Sequence, residues 1–354
     1  MSSKPSPDPA PRRSPDSAPR REGKPKRRAG VFAVSFVVIV VLAGLAAAGG
    51  WFWLENQYRA AGPLATETDV IIEKGAGTAR IARELAAAGI IADARVFRWG
   101  NRLFGGKAPL RAGEYRFPAA ISAAGAAQIL QSGRTVQRKL TIAEGLMHAE
   151  VRAELLAAPG LTGALGELPE EGWLLPETYH YAFGDARADV VTRMHDALTV
   201  LLAKAWAGRA EGLPFKTARE ALILASIVEK ETGVAAERAH VAGVFVNRLK
   251  RGMRLQSDPT VAYGVTGGKA PLDRPLTRND LDQPTRFNTY VNKGLPPTPI
   301  ANPGRAAIEA VLHPMATDDL YFVADGTGGH AFAKTLKEHN ANVAKWRRIQ
   351  RSLK

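Results

Sequence analysis

Residues 221–264 read ALILASIVEKETG (221–233), VAAERAHVAGVFVNRLKRG (234–252) and MRLQSDPTVAYG (253–264). The first block predicts a helix over Thr217–Thr232 that Gly233 stops. It is apolar almost all round from Ala221 to Val228, as a buried helix is. At about 100° per residue, Leu224, Ile227 and Val228 share a stripe. Glu231 falls within that stripe, Glu229 well away from it, and Glu220 in the first turn, where an acid complements the helix dipole. A carboxyl facing an apolar wall has a raised pKa and stays protonated near neutrality, which suits a general acid. The same position also suits a buried ion pair with Arg238, Arg248 or Arg254. A second helix is expected over Ala235–Lys250, bringing Glu237 and Asn247. Arg254–Thr260 then reads as an extended polar stretch with the amide of Gln256, the hydroxyl of Ser257 and the carboxylate of Asp258. Such groups serve equally for sugar hydrogen bonds and for turns.

Outward towards the N-terminus, the chain changes character. Residues 1–30 hold nine Lys or Arg against three acids, a large share of the net charge of +14. This Pro- and Ser-rich leader has too little apolar surface to offset ordering entropy, so disorder is expected. Val31–Trp53 then contains no charge. At 1.5 Å per residue it can cross a hydrocarbon core of about 30 Å. Trp51 and Trp53 suit one interface, and the basic cluster Lys24–Arg28 suits the cytoplasmic side. Its length and its long basic leader favour an uncleaved anchor over a signal peptide. Glu55–Thr68 reads as a linker. From Asp69 to Val136 the pattern is a small α+β module. Strands are expected at Val70–Ile72 and Arg111–Phe117, and helices after Gly77, over Ala94–Leu103 and over Ser122–Gly133. The module serves packing or carbohydrate binding.

The second domain opens with a strand at Arg138. Glu171–Tyr179 alternates aromatic and polar side chains, as both sugar clefts and core rims do. A helix follows over Val190–Ala207. Further on come Phe287-Asn288-Thr289-Tyr290, a strand at Tyr321–Val323 and Gly328–Phe332. Several chemistries find no support. There is no cysteine, and the seven histidines form no zinc motif. The Gly-x-Ser-x-Gly elbow is missing, Gly75-Ala76-Gly77 lacks the rest of a dinucleotide fingerprint, and Gly264–Lys269 is too short for a phosphate loop. No nucleic-acid-binding signature accompanies the basic charge. Carboxylate chemistry without a cofactor or metal remains.

Glu171–Tyr179, Ala225–Thr232, Val244–Tyr263, Phe287–Pro297 and Tyr321–Phe332, in this order, resemble the endolytic murein transglycosylase (YceG-like) family. The resemblance implies an α+β chain divided into a cytoplasmic leader (1–29), a transmembrane helix (30–54), a linker (55–68), a LysM-like module (69–136) and a larger, mainly helical catalytic domain with short strands (137–354). It implies a single-pass protein of the cell membrane, the inner one where two exist, with its catalytic domain outside the cytoplasm. The implied reaction is internal cleavage of nascent peptidoglycan strands between N-acetylmuramic acid and N-acetylglucosamine, leaving a 1,6-anhydro end and terminating strand elongation. Implied partners are glycan strands, membrane lipid through the N-terminal helix, and cell-wall synthases. The family's catalytic glutamate corresponds to Glu231, and Thr232 is expected to orient the acid or the sugar. Asn247, Gln256, Asp258 and Tyr290 are expected to contact substrate. A hydrolytic muramidase and a non-catalytic glycan-binding scaffold are the alternatives. The long basic leader departs from the family pattern.

Overall fold

The computed structural model describes residues 27–352; the expected disordered leader, as far as residue 26, lies outside them. Helix α1 runs Arg27–Arg59. It is the one helix among the described residues long and apolar enough to cross a membrane, and its side chains from Phe32 to Trp53 are exposed. A helix apolar on every side and covered by no protein is compatible with a single-pass anchor. It does not end where the linker was expected. No Gly or Pro intervenes before Gly62, and Arg59 pairs with Glu55 one turn back at 3.1 Å. The helix therefore carries Tyr58 into the core of the unit that follows, where it is 3 % exposed.

That unit contains β1 (Thr68–Ile72), α2 (Thr78–Ala87), α3 (Ala94–Leu103), β2 (Gly113–Phe117) and α4 (Ala123–Ser132). β1 and β2 pair antiparallel, with Thr68 opposite Phe117 and Ile72 opposite Gly113. Ile81, Leu85, Phe97, Tyr115, Phe117 and Leu130 close one core with Tyr58 and Leu64. The local signals are those of the sequence. Ser122 Oγ accepts from Gly125 N at the start of α4, and Gly133 ends it in the left-handed region at φ 69°. Gly100 of α3 is obligatory for packing, because a Cβ there would lie 2.3 Å from the Tyr58 ring.

The rest of the chain builds on two further cores. One lies under the antiparallel pair β3 (Gln137–Thr141) and β4 (Thr178–Ala182), with α5 (His148–Ala157) and α6 (Arg187–Ala207). The other gathers α7 (Ala218–Glu231), α8 (Arg238–Lys250) and α11 (Arg305–Leu312) with the inner side of α6; α9 (Asp258–Thr266) packs at its edge and α10 (Arg278–Asp282) against α9. It is joined by the hairpin of β5 (Tyr321–Ala324) and β6 (His330–Ala333), and by α12 (Leu336–Ser352). Helix α7 packs against α8 and α11, and Leu222, Leu224, Ile227 and Val228 sit among Phe245, Ile308 and Val311. The architecture is α+β, mainly helical, with three separate two-stranded sheets among the described residues. Two expected elements differ. Ala235–Glu237 is a 3-10 turn and α8 begins only at Arg238. The extended stretch expected over Arg254–Thr260 ends at Ser257, because Asp258-Pro259 starts α9 with proline in the first turn.

Candidate active site

Helix α7 places its last residue, Glu231, at the edge of the third core. Its start is locked by a capping box: Thr217 Oγ1 accepts from Glu220 N, and the Glu220 carboxylate accepts from Thr217 N, both at 3.2 Å. Ala221 through Val228 are buried. Within them the Ser226 hydroxyl donates to Ile223 O at 2.7 Å and accepts from Ile300 N at 3.0 Å. Glu231 thus projects from a helix held by its cap, its buried sides and the Ser226 bonds.

The Glu231 carboxyl faces a hollow of about 490 Å³ that it lines with Arg248, Gln256, Asp258, Tyr290 and Tyr321. Burial raises its pKa to about 7 and the nearby Asp258 carboxylate adds to the rise, while Ser257, His330 and Arg248 pull the other way. Among the described residues no basic side chain forms an ion pair with it. Arg248 directs its donors to backbone instead, Nε to Leu320 O and Nη1 to Leu255 O, each at 2.6 Å. The ion pair that the sequence left open belongs to the other glutamate. Arg238 meets Glu229 at 3.6 Å, and Glu229 also accepts from Gly304 N at 2.9 Å. Glu237 is likewise engaged, with His330 Nδ1 at 2.7 Å.

The direct partner of Glu231 is Ser257, whose Oγ donates to Oε1 at 2.5 Å. Ser257 occupies the N-cap of α9, where a serine hydroxyl normally accepts from the helix backbone; here it makes no cap bond. Its backbone is held on both sides. Ser257 N donates to Thr289 Oγ1 at 2.9 Å, Thr260 Oγ1 donates to Ser257 O at 2.7 Å, and the two threonine hydroxyls lie 2.8 Å apart. Gln256, just before it, is one of two non-glycine residues with positive φ among the described residues, at 52°. That conformation costs energy, and it sits where the chain turns into the hollow.

The expected substrate contacts divide. Gln256, Asp258 and Tyr290 line the hollow with Glu231, and Tyr290 OH donates to Asp258 Oδ1 at 2.6 Å. Asn247 is not brought to it. Its amide donates to Thr317 O and Asp319 O, which ties α8 to the segment before β5. Thr232 is 2 % exposed, and its hydroxyl accepts from Val234 N at 3.0 Å. It finishes α7 rather than touching Glu231. The residue that does touch it, Ser257, stood in the quoted polar stretch, but its spacing alone did not separate it from a turn serine. Glu171 is a second partly buried acid. It accepts from His148 N at 2.9 Å and from Tyr263 OH at 3.3 Å, and burial lifts its pKa to about 7. Among the described residues no three His, Asp or Glu converge as a metal site.

Residues 70–345 match the model of the YceG-like family. A protein named endolytic murein transglycosylase from Bacillus subtilis is 39% identical over 178 residues, which cover 50% of this chain and 48% of that one. A protein of the same name from Streptococcus pneumoniae is 28% identical over 364 residues, covering 88% of this chain and 64% of its own. The chain thus spans about half to just under two thirds of the length of these relatives. A crystal structure of a YceG-like protein from Listeria monocytogenes is 30% identical, covers 78% of this chain and 99% of that one, and superposes with a TM-score of 0.48. With the family's model spanning the Glu231 hollow and most of the chain, this protein belongs to the YceG-like family.

Proposed function

We propose that the chain is a membrane-anchored lytic transglycosylase that cleaves peptidoglycan strands internally, between N-acetylmuramic acid and N-acetylglucosamine, and leaves a 1,6-anhydro end. The observation that carries this reading is the environment of Glu231: a carboxyl kept protonated near neutrality by burial, paired with a hydroxyl rather than a cation, at the wall of a polar hollow. The names of the bacillary and streptococcal relatives agree with it. Because Ser257 donates to Oε1, the proton of neutral Glu231 resides on Oε2. That oxygen donates to the glycosidic oxygen as the leaving sugar departs, and positive charge develops at C1. The resulting carboxylate then takes the proton of the muramic 6-hydroxyl as that oxygen attacks C1. An internal nucleophile removes the need for the second carboxylate of a hydrolase. Gln256, Asp258 and Tyr290 contact the sugar. The unit over 69–136 is a LysM-like glycan-binding module, and the domain over 137–354 is catalytic. The anchor holds both outside the cytoplasm, where synthases supply nascent strands.

The test is mass spectrometry of products from glycan strands. Wild type yields anhydro ends, and Glu231→Gln lowers turnover by at least about 10²-fold, the scale of a lost general acid. Reducing ends alone would make the enzyme a hydrolytic muramidase. Unchanged turnover in the variant would remove Glu231 as the acid, and no turnover in the wild type would leave a glycan-binding scaffold.

A further inference from the structure

The anchor helix does not release the first unit onto a tether. A hydrocarbon core of about 30 Å takes about 20 residues of helix. Counted from the end of the arginine cluster at Arg28, such a span closes near Gly50 and leaves Trp51 at the interface. Trp51 meets the ring of Phe104 edge-on, with centroids 4.8 Å apart. Gly100 packs against Tyr58, seven residues and so about 10 Å further from the core. Helix α3 therefore descends along α1 towards the lipid, and its last turn reaches the level of Trp51. The headgroup zone is itself about 5–8 Å deep on each side.

The outward face of α3 suits that depth. Arg95, Arg98, Trp99, Arg102 and Leu103 are exposed, at helical spacing along one side. Trp99 is 52 % and Leu103 44 % exposed. Arg95 pairs with the N-cap Asp93 at 3.0 Å, and from Val96 to Ala112 the chain carries Arg98, Arg102, Lys107 and Arg111 and no acid. Among the described residues, Arg98 and Arg102 have no carboxylate partner, and the Arg102 guanidinium lies 5.7 Å from the Trp99 ring. With Thr78 and Asn101 they border a hollow of about 450 Å³. Guanidinium groups bind phosphate by paired hydrogen bonds, and tryptophan settles at headgroup depth. A sugar also stacks on an exposed indole; depth and the acid-free charge decide for lipid.

We infer that the exposed face of α3, with the loop to Lys107, is a second membrane contact that binds anionic lipid headgroups and seats the module on the bilayer. This rests on reading α1 as the anchor. The chain has no cysteine, so Leu103→Cys, Leu45→Cys and Val200→Cys each offer a single site for a fluorophore in the full-length protein. The proteins are reconstituted in vesicles of phosphatidylcholine with or without phosphatidylglycerol, carrying nitroxide-labelled lipid. Position 45 reports the anchor, and position 200, exposed on the outer side of α6, reports bulk solvent. The expected result is quenching at 103 well above that at 200 and stronger with phosphatidylglycerol. Arg98→Glu, Arg102→Glu and Lys107→Glu together should remove the lipid dependence, each cation being worth about fivefold at an anionic surface. Quenching at 45 with none at 103 would overturn the contact and spare the anchor. No quenching at 45 would overturn both. Protection of position 103 by soluble glycan strands, without lipid quenching, would assign the face to glycan and overturn the contact.

Discussion

Glu231 owes its protonation to what is missing around it as much as to what is there. Burial raises the pKa, and the one strong hydrogen bond, from Ser257, lowers it. The protonated carboxyl, the general acid of the proposed reaction, is therefore present below pH of about 7 and is lost above it. Turnover should fall about tenfold for each pH unit beyond that point, as a single ionisation requires. Ser257→Ala removes a donor that stabilises the ionised form, so the descending limb should move to higher pH. A lost hydrogen bond of about 1–2 kcal/mol also lowers the plateau rate by about tenfold. A pH–rate profile on glycan strands checks both; a limb that stays in place would show that Ser257 does not act on the carboxyl. Burial raises the pKa of Glu229, two residues away, as well, but that carboxyl is met by Arg238 and by the Gly304 amide.

Helix α7 is aimed by its neighbours. Its apolar sides hold it against α8 and α11, and Ser226 stitches it to the Ile300 segment. Ser226→Ala leaves the Ile300 amide, on a residue 2 % exposed, without an acceptor. The cost should be about 1–3 kcal/mol, that of an unsatisfied buried donor. Thermal unfolding checks it, and an unchanged midpoint would mean that another acceptor takes the amide. Helix α9 is the second aiming device. Asp258-Pro259 starts it, which puts Ser257 at the N-cap within reach of α7. The polar residues of this stretch are legible in the sequence but the helix is not, because a Gln-Ser-Asp-Pro-Thr run serves a turn and a helix start alike.

Across the whole molecule, the parts join through specific contacts. Arg138 on β3 grips the Glu114 carboxylate on β2 by two hydrogen bonds of 2.7 and 2.8 Å, so the first unit and the remainder are joined at their strands. At its other side the unit is joined to α1, where Gly100 meets Tyr58. Gly100→Ala would push a methyl into that ring. Against a helix-propensity gain of up to about 1 kcal/mol, overpacking costs about 1–3 kcal/mol. We expect net destabilisation in detergent, read as a lower thermal midpoint with altered Trp51 fluorescence; an unchanged midpoint would show that the ring moves aside freely.

Periodicity and caps were legible without any structure. They are properties of residues a few positions apart, and so the apolar stripe of α7 singled out Glu231, Thr217 and Ser122 started their helices, and the uncharged run marked α1. Which group would meet Glu231 was not legible. Arg238, Arg248 and Arg254 were all within plausible reach, and only packing sent Arg238 to Glu229, turned Arg248 onto two carbonyls, and brought Ser257 from 26 residues away. The same holds for Tyr58, whose place in a linker-like stretch hid its role in the core of the unit that follows. The sequence by itself determined which side chains the helices present and on which face. The tertiary structure decided whether the buried acid faces a cation or a hydroxyl, because that depends on which distant segment fills the space beside it.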